Sequence, residues 1–421
     1  SPGPTHPINS IPAIVPNDFA DDLQQAGLLP DLWYSTNAQV AGGWVLNQSW
    51  TLRRHFISPP ANSTSAWIAF DGVDYNASIA VNGKLIARHL GAFEPFDVPL
   101  PLPLPRDNLL EVTLHPPPPW LVQQLYPPTN LTLRPFGYPI GNEGLDHCMV
   151  NRLLPKWRSR LNFWDFATKH YAQGIWRNAS LHSVSGAARL DRQLDLRAQP
   201  SAPFAFAYLN ATIRWRRIGS ADSAQLRVRV SARCVTDASA PNASVTVPLA
   251  QNDDNGWVSQ LVRLRVDGLR LWWPNGYGKQ HLYEVTATLL QCSGADDSCV
   301  GIDAAVEPSF GFRRLEEDLN DARPWWIYGQ WVHWVGGQSL LQLNSSDYNV
   351  KPKHDPRIPD KRRWRFVING RRIFARGGNW VPLDQKLGTG VRDLDRMRAI
   401  LQLAKRAGYT FMRLWGGGQL E

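Results

Sequence analysis

Asparagine and cysteine are the first residues in this chain whose type and spacing can do chemistry. Asn47, Asn62, Asn76, Asn130, Asn178, Asn210, Asn242 and Asn344 each begin an Asn-X-Ser/Thr pattern, the acceptor for an N-linked glycan. Chance would supply about two such sites from this content of Asn, Ser and Thr, so the excess predicts passage through a glycosylating secretory pathway. The four cysteines fit that oxidising setting. Cys292 and Cys299 are close enough to bridge one loop and are the first expectation for a disulfide, with Cys234 joining either of them as the competitor. Cys148 is distant from all three in sequence. No His or second Cys pair stands at ligand spacing beside them, so no metal site is expected. Gly416-Gly417-Gly418 has the glycine density of a phosphate cradle, but the Lys-Ser/Thr that would complete one does not follow.

The elements that must hold these residues are limited by composition. The 421 residues, 43% of them apolar, suit two to four domains, each with its own core. Nineteen Trp and 33 Pro against 19% charged residues describe short strands, turns and aromatic-lined surfaces, which excludes coiled coils and collagen. The formal charge of +9 is spread along the chain. Its densest cluster, Lys361-Arg362-Arg363 with Arg365, has no nucleic-acid motif beside it, so a solvated face is expected and no nucleic-acid partner. No stretch approaches the roughly 18 apolar residues of a membrane span, so no membrane partner is expected. Ser1-Pro2-Gly3-Pro4 has neither Met nor an apolar signal core and reads as a processed end.

From about Trp44 to Leu181 the pattern is one of short alternating strands. Ile79-Ala80-Val81 and Lys84-Leu85-Ile86 flank Asn82-Gly83, a hairpin signal because both turn residues must take positive φ. Leu109 to Leu114 adds a strand, which Pro116 to Pro119 ends. A second β region runs from about Ala187 to Arg313, with alternating strands at Gln225 to Val235, Val258 to Val266 and Leu282 to Leu290. A polar, Trp-rich segment from about Glu317 to Lys361 then reads as an insertion or linker. After it, Asn369-Gly370 predicts another hairpin. Leu394, Met397, Ile400, Leu401 and Ala404 recur at helical spacing, Asp393 can cap that helix, and Gly408 can end it. Tyr409 to Trp415 reads as a buried strand. This end is therefore a β-α-β unit with parallel strands, one face bare, the opening of a larger α/β domain.

The order of these motifs resembles glycoside hydrolase family 2. Asp71 to Pro99 (DGVDYNASIAVNGKLIARHLGAFEPFDVP) resembles the family's N-terminal sugar-binding domain, and Gly174-Ile175-Trp176-Arg177 its closing motif. Leu271 to Gly278 (LWWPNGYG) with Leu282-Tyr283, and then Phe310-Gly311-Phe312-Arg313, resemble two signatures of its middle domain. Val367 to Asp384 (VINGRRIFARGGNWVPLD) resembles the start of its barrel. The resemblance implies a mostly β chain: a jelly-roll β-sandwich over 1–186, an immunoglobulin-like β-sandwich over 187–316, an insertion or linker over 317–361, and over 362–421 the first β-α-β part of an incomplete (β/α)8 barrel.

Two features resemble the β-mannosidase branch, which includes endo-acting relatives: Arg413-Leu414-Trp415-Gly416-Gly417-Gly418 and Phe163-Trp164-Asp165. Carried over, Asp165 accepts hydrogen bonds from sugar hydroxyls, Trp164 and Trp415 form apolar walls, and Asn379 with Trp380 lines the floor. The chemistry is coherent, since a carboxylate makes charge-assisted bonds to hydroxyls and an aromatic face suits the C–H face of a pyranose. The family usually has a further Trp after this Asp, where this chain has Phe166. Other Trp residues, namely Trp44, Trp176, Trp272 and Trp273, are expected to pack in cores. Asp384 and Glu421 follow the first and second barrel strands, where they either shape the pocket or face solvent.

A retaining glycosidase needs two carboxyl groups about 5–5.5 Å apart. In the family these are glutamates after the fourth and seventh barrel strands, beyond the second strand with which this sequence stops. No catalytic residue is therefore expected in this chain, and no cofactor. The implied function is the N-terminal portion of a retaining glycosidase acting on β-mannosides or related β-glycosides, with a carbohydrate substrate and a second polypeptide completing the barrel. A longer continuous chain would also supply the missing part. The alternatives are a non-catalytic glycan-binding or structural protein of the same descent and, for the enzyme, a β-glucosaminide substrate. The sequons imply a secreted or lumenal location, whether extracellular, lysosomal or vacuolar.

Overall fold

Alternation of apolar and polar residues drives most of this chain into strands. A computed structural model describes residues 10–34, 37, 44–45, 48–116, 173–198, 200–218, 225–250, 256–292, 298–318, 365–381, 383 and 392–414, and the fold is mostly β. The first unit contains β1 (Trp50–Ile57), β2 (Ser65–Phe70), β3 (Val73–Asp74), β4 (Asn76–Val81), β5 (Lys84–Leu90), β6 (Phe96–Pro99), β7 (Asp107–His115), β8 (Gly174–Ile175) and β9 (Ala179–Val184). One sheet has the order β1-β7-β4-β5 and a second β6-β2-β9, while β3 pairs with β8. Inward residues of both sheets, among them Phe70, Ile79, Val98, Val112 and Leu114, share one apolar cluster. The hairpin at Asn82-Gly83 forms as its sequence requires, with φ of 52° and 76° and Val81 opposite Lys84.

The sequence reading has no helix in this unit, yet α1 (Phe19–Gln25) forms. The Asp18 side chain accepts from the Ala20 backbone N–H at its start, and Phe19, Ala20 and Leu23 are buried against the sheets. Seven residues carry fewer than two full turns of periodicity, too little to stand out from the strands around them.

The second unit contains β10 (Ala188–Leu190), β11 (Asp195–Ala198), β12 (Phe206–Arg217), β13 (Gln225–Cys234), β14 (Ala243–Pro248), β15 (Val258–Asp267), β16 (Tyr283–Cys292) and β17 (Cys299–Phe310). Strands β10 and β11 both pair with β12, which pairs with β15 on its other edge; the second sheet runs β14-β13-β16-β17. Their inward faces form a second core around Trp215, Val230, Leu264, Tyr283 and Phe312. The three alternating strands expected from the sequence appear as β13, β15 and β16 within two residues of the expected ends. Cys292 and Cys299 are bridged, as directly opposed residues of β16 and β17. Cys234 is buried and unbridged, so the competing pairing does not form.

Charged residues join the two units. The Arg189 Nη2 donates to Asp97 Oδ2 at 3.0 Å, and its guanidinium lies 3.9 Å from the Trp67 ring centroid. Arg192 bonds Asp71 at 2.8 Å and Asp97 at 3.5 Å. His182 stacks on Trp67 with 5.5 Å between centroids and bonds the Ser180 hydroxyl at 2.7 Å. Burial, and after it the Arg192 charge, holds His182 below the ordinary imidazole range. The unfolded chain then binds a proton that the folded chain refuses. The stability this contributes is complete above about pH 6.5 and is lost as pH falls through the lowered folded value. Half-buried Asp303, raised above its ordinary value chiefly by desolvation, acts in the opposite sense over a more acidic window. His182→Gln should therefore flatten the fall in unfolding midpoint between about pH 7 and 5. Superimposable pH profiles for the two proteins would show that His182 is not the cause.

The third unit contains β18 (Leu315–Asp318), β19 (Arg365–Ile368), β20 (Arg371–Ile373), β21 (Gly377–Trp380), α2 (Leu394–Arg406) and β22 (Phe411–Leu414). Asn369 and Gly370 turn the β19–β20 hairpin at φ of 51° and 78°. Asp393 caps α2 by accepting from the Arg396 N–H, and Gly408 leaves it at φ 76°. Strands β21 and β22 are parallel, as expected for a β-α-β unit. The expectation of a buried final strand is not met. Phe411 and Leu414 are 39% and 53% exposed, and α2 buries no residue. The apolar pattern is present, but among the described residues it is only partly covered, Phe411 meeting the Phe366 ring at 5.6 Å. The segment 317–361 lies almost wholly outside the described residues. Its first two residues extend β18, whose Asp318 is paired with Arg365 of β19.

Candidate functional site

Of the residues expected to meet a sugar, Asn379 and Trp380 fall in the described structure, while Asp165, Trp164 and Trp415 lie outside it. Asn379 and Trp380 end β21, opposite Arg413 and Leu414 of β22. Parallel pairing thus brings both strand ends to one edge, and Trp415 is the next residue in sequence. Asn379 is exposed and Trp380 half-buried. The Asn379 Oδ1 accepts from Arg413 Nη1 at 2.9 Å. This bond orients the amide and leaves its two N–H donors for a ligand oxygen. Arg413 was not among the expected site residues. Its signal was its place in the Arg-Leu-Trp motif, but the Asn379 contact depends on a strand register that the sequence does not print.

The second unit holds this edge in place through its LWWPNGYG segment. The Asn275 amide donates to the Lys405 and Tyr409 carbonyls at 2.9 and 3.1 Å, which caps the C-terminal end of α2. The Phe374 N–H donates to the Tyr277 hydroxyl at 3.0 Å. Asn369 donates to the Trp272 carbonyl at 3.0 Å and accepts from the Arg314 N–H at 2.9 Å. Trp272 and Trp273 are only half-buried, because they lie where the second and third units meet and Gly311 and Gly278 leave room for their rings. Gly377 is required at the start of β21, since a Cβ there would overlap the Phe411 carbonyl. Arg392 bonds Asp21 of α1 at 2.9 Å and so ties the third unit to the first.

A cavity of about 1110 Å³ lies in the first unit beside α1 and β1, lined in part by Asp22, Trp44, Trp50 and Arg53. Asn379 and Trp380 are not among its described lining residues. No three His, Cys, Asp or Glu side chains among the described residues are grouped to hold a metal ion, and no described helix is long and apolar enough to cross a membrane.

A model of the glycosyl hydrolase 2 galactose-binding domain-like family matches residues 4–177. Over 428 residues the chain is 24% identical to a β-mannosidase of Mus musculus, covering 98% of this chain and 41% of that protein. The chain is similar to the N-terminal portion of β-mannosidases of glycosyl hydrolase family 2. Solved structures share the fold. The β-mannosidase of Dictyoglomus thermophilum superposes with a TM-score of 0.63 at 21% identity, over 95% of this chain and 41% of that one. An exo-chitosanase of Amycolatopsis orientalis gives 0.61 at 20% identity, over 100% and 38%. The chain thus spans about two fifths of the length of these relatives. Within it, the LWWPNGYG segment of the middle unit serves as a mount for the third, a role assigned by the Asn275, Tyr277 and Trp272 contacts.

Proposed function

We propose that the whole protein is a retaining glycosidase that hydrolyses β-mannosides or related β-glycosides, and that this chain supplies substrate recognition while the catalytic glutamates lie outside it. The observation that carries the proposal is the parallel β21–β22 pair with its connecting helix. Parallel strands are stable when both faces are covered. Here Leu394, Leu401, Leu403, Phe411 and Leu414 are between 39% and 56% exposed, which suits the opening turn of a (β/α)8 barrel whose other strands are supplied by further polypeptide. Relatives that this chain matches over only two fifths of their length agree with that reading. In it, residues 1–186 form a jelly-roll domain, 187–316 an immunoglobulin-like domain, 317–361 an insertion and 362–421 the start of the barrel.

Substrate recognition falls to Asp165, Trp164 and Trp415 with Asn379 and Trp380, joined now by Arg413. Asp165→Ala in the complete protein should weaken mannoside binding at least tenfold, or about 1.4 kcal/mol, by removing a charge-assisted hydrogen bond. An unchanged calorimetric titration would remove Asp165 from the site. Proton NMR of the first-formed product should show the β-anomer. An α-product would overturn retention, and a lack of hydrolysis with intact sugar binding would favour the non-catalytic alternative. A β-glucosaminide is the second substrate class, favoured by the fold shared with an exo-chitosanase. Competition between the two aryl glycosides ranks them. The sequons at Asn62, Asn178 and Asn242, all exposed, support a secreted or lumenal location.

A further inference from the structure

We infer that Asn210 carries a glycan whose inner sugars lie on the outer face of the β12–β15 sheet and cover the apolar patch there. The inference rests on the secretory reading and names one site and its packing. In β12, Ala207, Leu209, Ala211 and Ile213 point into the core, at most 3% exposed. Strand alternation therefore sends Phe206, Tyr208, Asn210 and Thr212 outward together. Phe206 is 38% and Tyr208 37% exposed, and Leu261, opposite Thr212, is 63% exposed. The sequon thus stands half-buried on this face between Arg197 and Arg263 of the flanking strands and beside the exposed Tyr208, with that Tyr two residues before the acceptor and its Thr two residues after it.

Residues two apart on a strand are about 7 Å apart, which is within reach of the first sugar linked to Asn210. The C–H face of that sugar matches an aromatic ring. Both rings are held in place. The Arg263 guanidinium lies 3.7 Å from the Tyr208 centroid and that of Arg265 4.0 Å from Phe206, with the two rings edge to face at 5.8 Å. Arg263, directly opposite Asn210, brings N–H donors for sugar hydroxyls. An acidic partner fits this face less well, because Arg265 bonds Asp267, Arg197 bonds Asp195 and Arg214 bonds Asp191.

The test uses the full-length protein secreted from a glycosylating eukaryotic host. Glycopeptide mass spectrometry should find Asn210 occupied. Amidase release of that glycan from the native protein should be about tenfold slower than release from Asn242, each rate being divided by its value after denaturation. Tyr208→Ala should remove the difference and Tyr208→Phe should keep it. An unmodified Asn210 beside occupied Asn62, Asn178 or Asn242 overturns the inference and leaves the secretory reading standing. A chain with no glycan at all overturns both. Equal native release rates, or rates indifferent to Tyr208→Ala, overturn the packing.

Discussion

Trp176→Ala should destabilise the first unit by about 4 kcal/mol, among the largest costs of any single truncation in this chain. The ring is 1% exposed, and its Nε1 donates to the Ala92 carbonyl at 2.7 Å. Phe93 meets it edge to face at 6.0 Å, and the Arg177 guanidinium lies 4.5 Å from its centroid. Gly72 lies so close behind that a Cβ there would approach the ring to 2.7 Å. No neighbouring backbone can collapse into the space without breaking the Trp176 N–H bond to the Gly72 carbonyl. The truncation therefore combines a large cavity with an unpaired carbonyl. Urea unfolding followed by fluorescence would measure the loss, and a cost under about 1.5 kcal/mol would mean that the site relaxes in a way the packing does not suggest.

The junction between the first two units should be nearly as sensitive. Asp97→Ala leaves the Arg189 guanidinium, 3% exposed, without its carboxylate. Removing one partner of a buried pair costs about 3–5 kcal/mol. Asp97 is itself 25% exposed and shared with Arg192, so the lower end, about 3 kcal/mol, is expected. Adding Arg189→Met should recover most of the loss, because the stranded cation is then absent and the aliphatic chain still packs on Trp67. Calorimetry of the single and double variants decides the matter. A double variant less stable than the single one would show that the stacking of the Arg189 guanidinium on Trp67 and on Trp257, whose ring centroid lies 5.0 Å from it, outweighs the charge.

How much could be read beforehand depends on the range of each interaction. Asn82-Gly83 and Asn369-Gly370 fix their hairpins within four residues, Asp393 and Gly408 bound α2 from its own two ends, and Cys292 finds Cys299 seven residues away. All of these were legible. The cap that Asn275 places on α2 spans 130 residues and the Arg392–Asp21 pair 371, so neither has a local signature. Arg413 was visible as a motif residue, but its hold on Asn379 required the parallel register. The exposed β22 has a related cause: an apolar run states what a strand needs and is silent on what surrounds it. Asp165 and Trp164 depend on resemblance alone, and their geometry remains the property of a segment beyond the described residues.

The rung formed by Asp318 and Arg365 also bears on how this protein can change over generations. The chain departs from one strand and comes back on its neighbour at the same level, so the distance to be spanned is that of a single ladder step, whatever length lies in between. Residues can be gained or lost between these two positions without displacing either strand, and a two-residue turn or an entire foreign domain would meet the same pair of anchors. Among the described parts of the molecule, this is a seam where evolution, or an engineer, can splice while the parallel β21–β22 edge stays where it is.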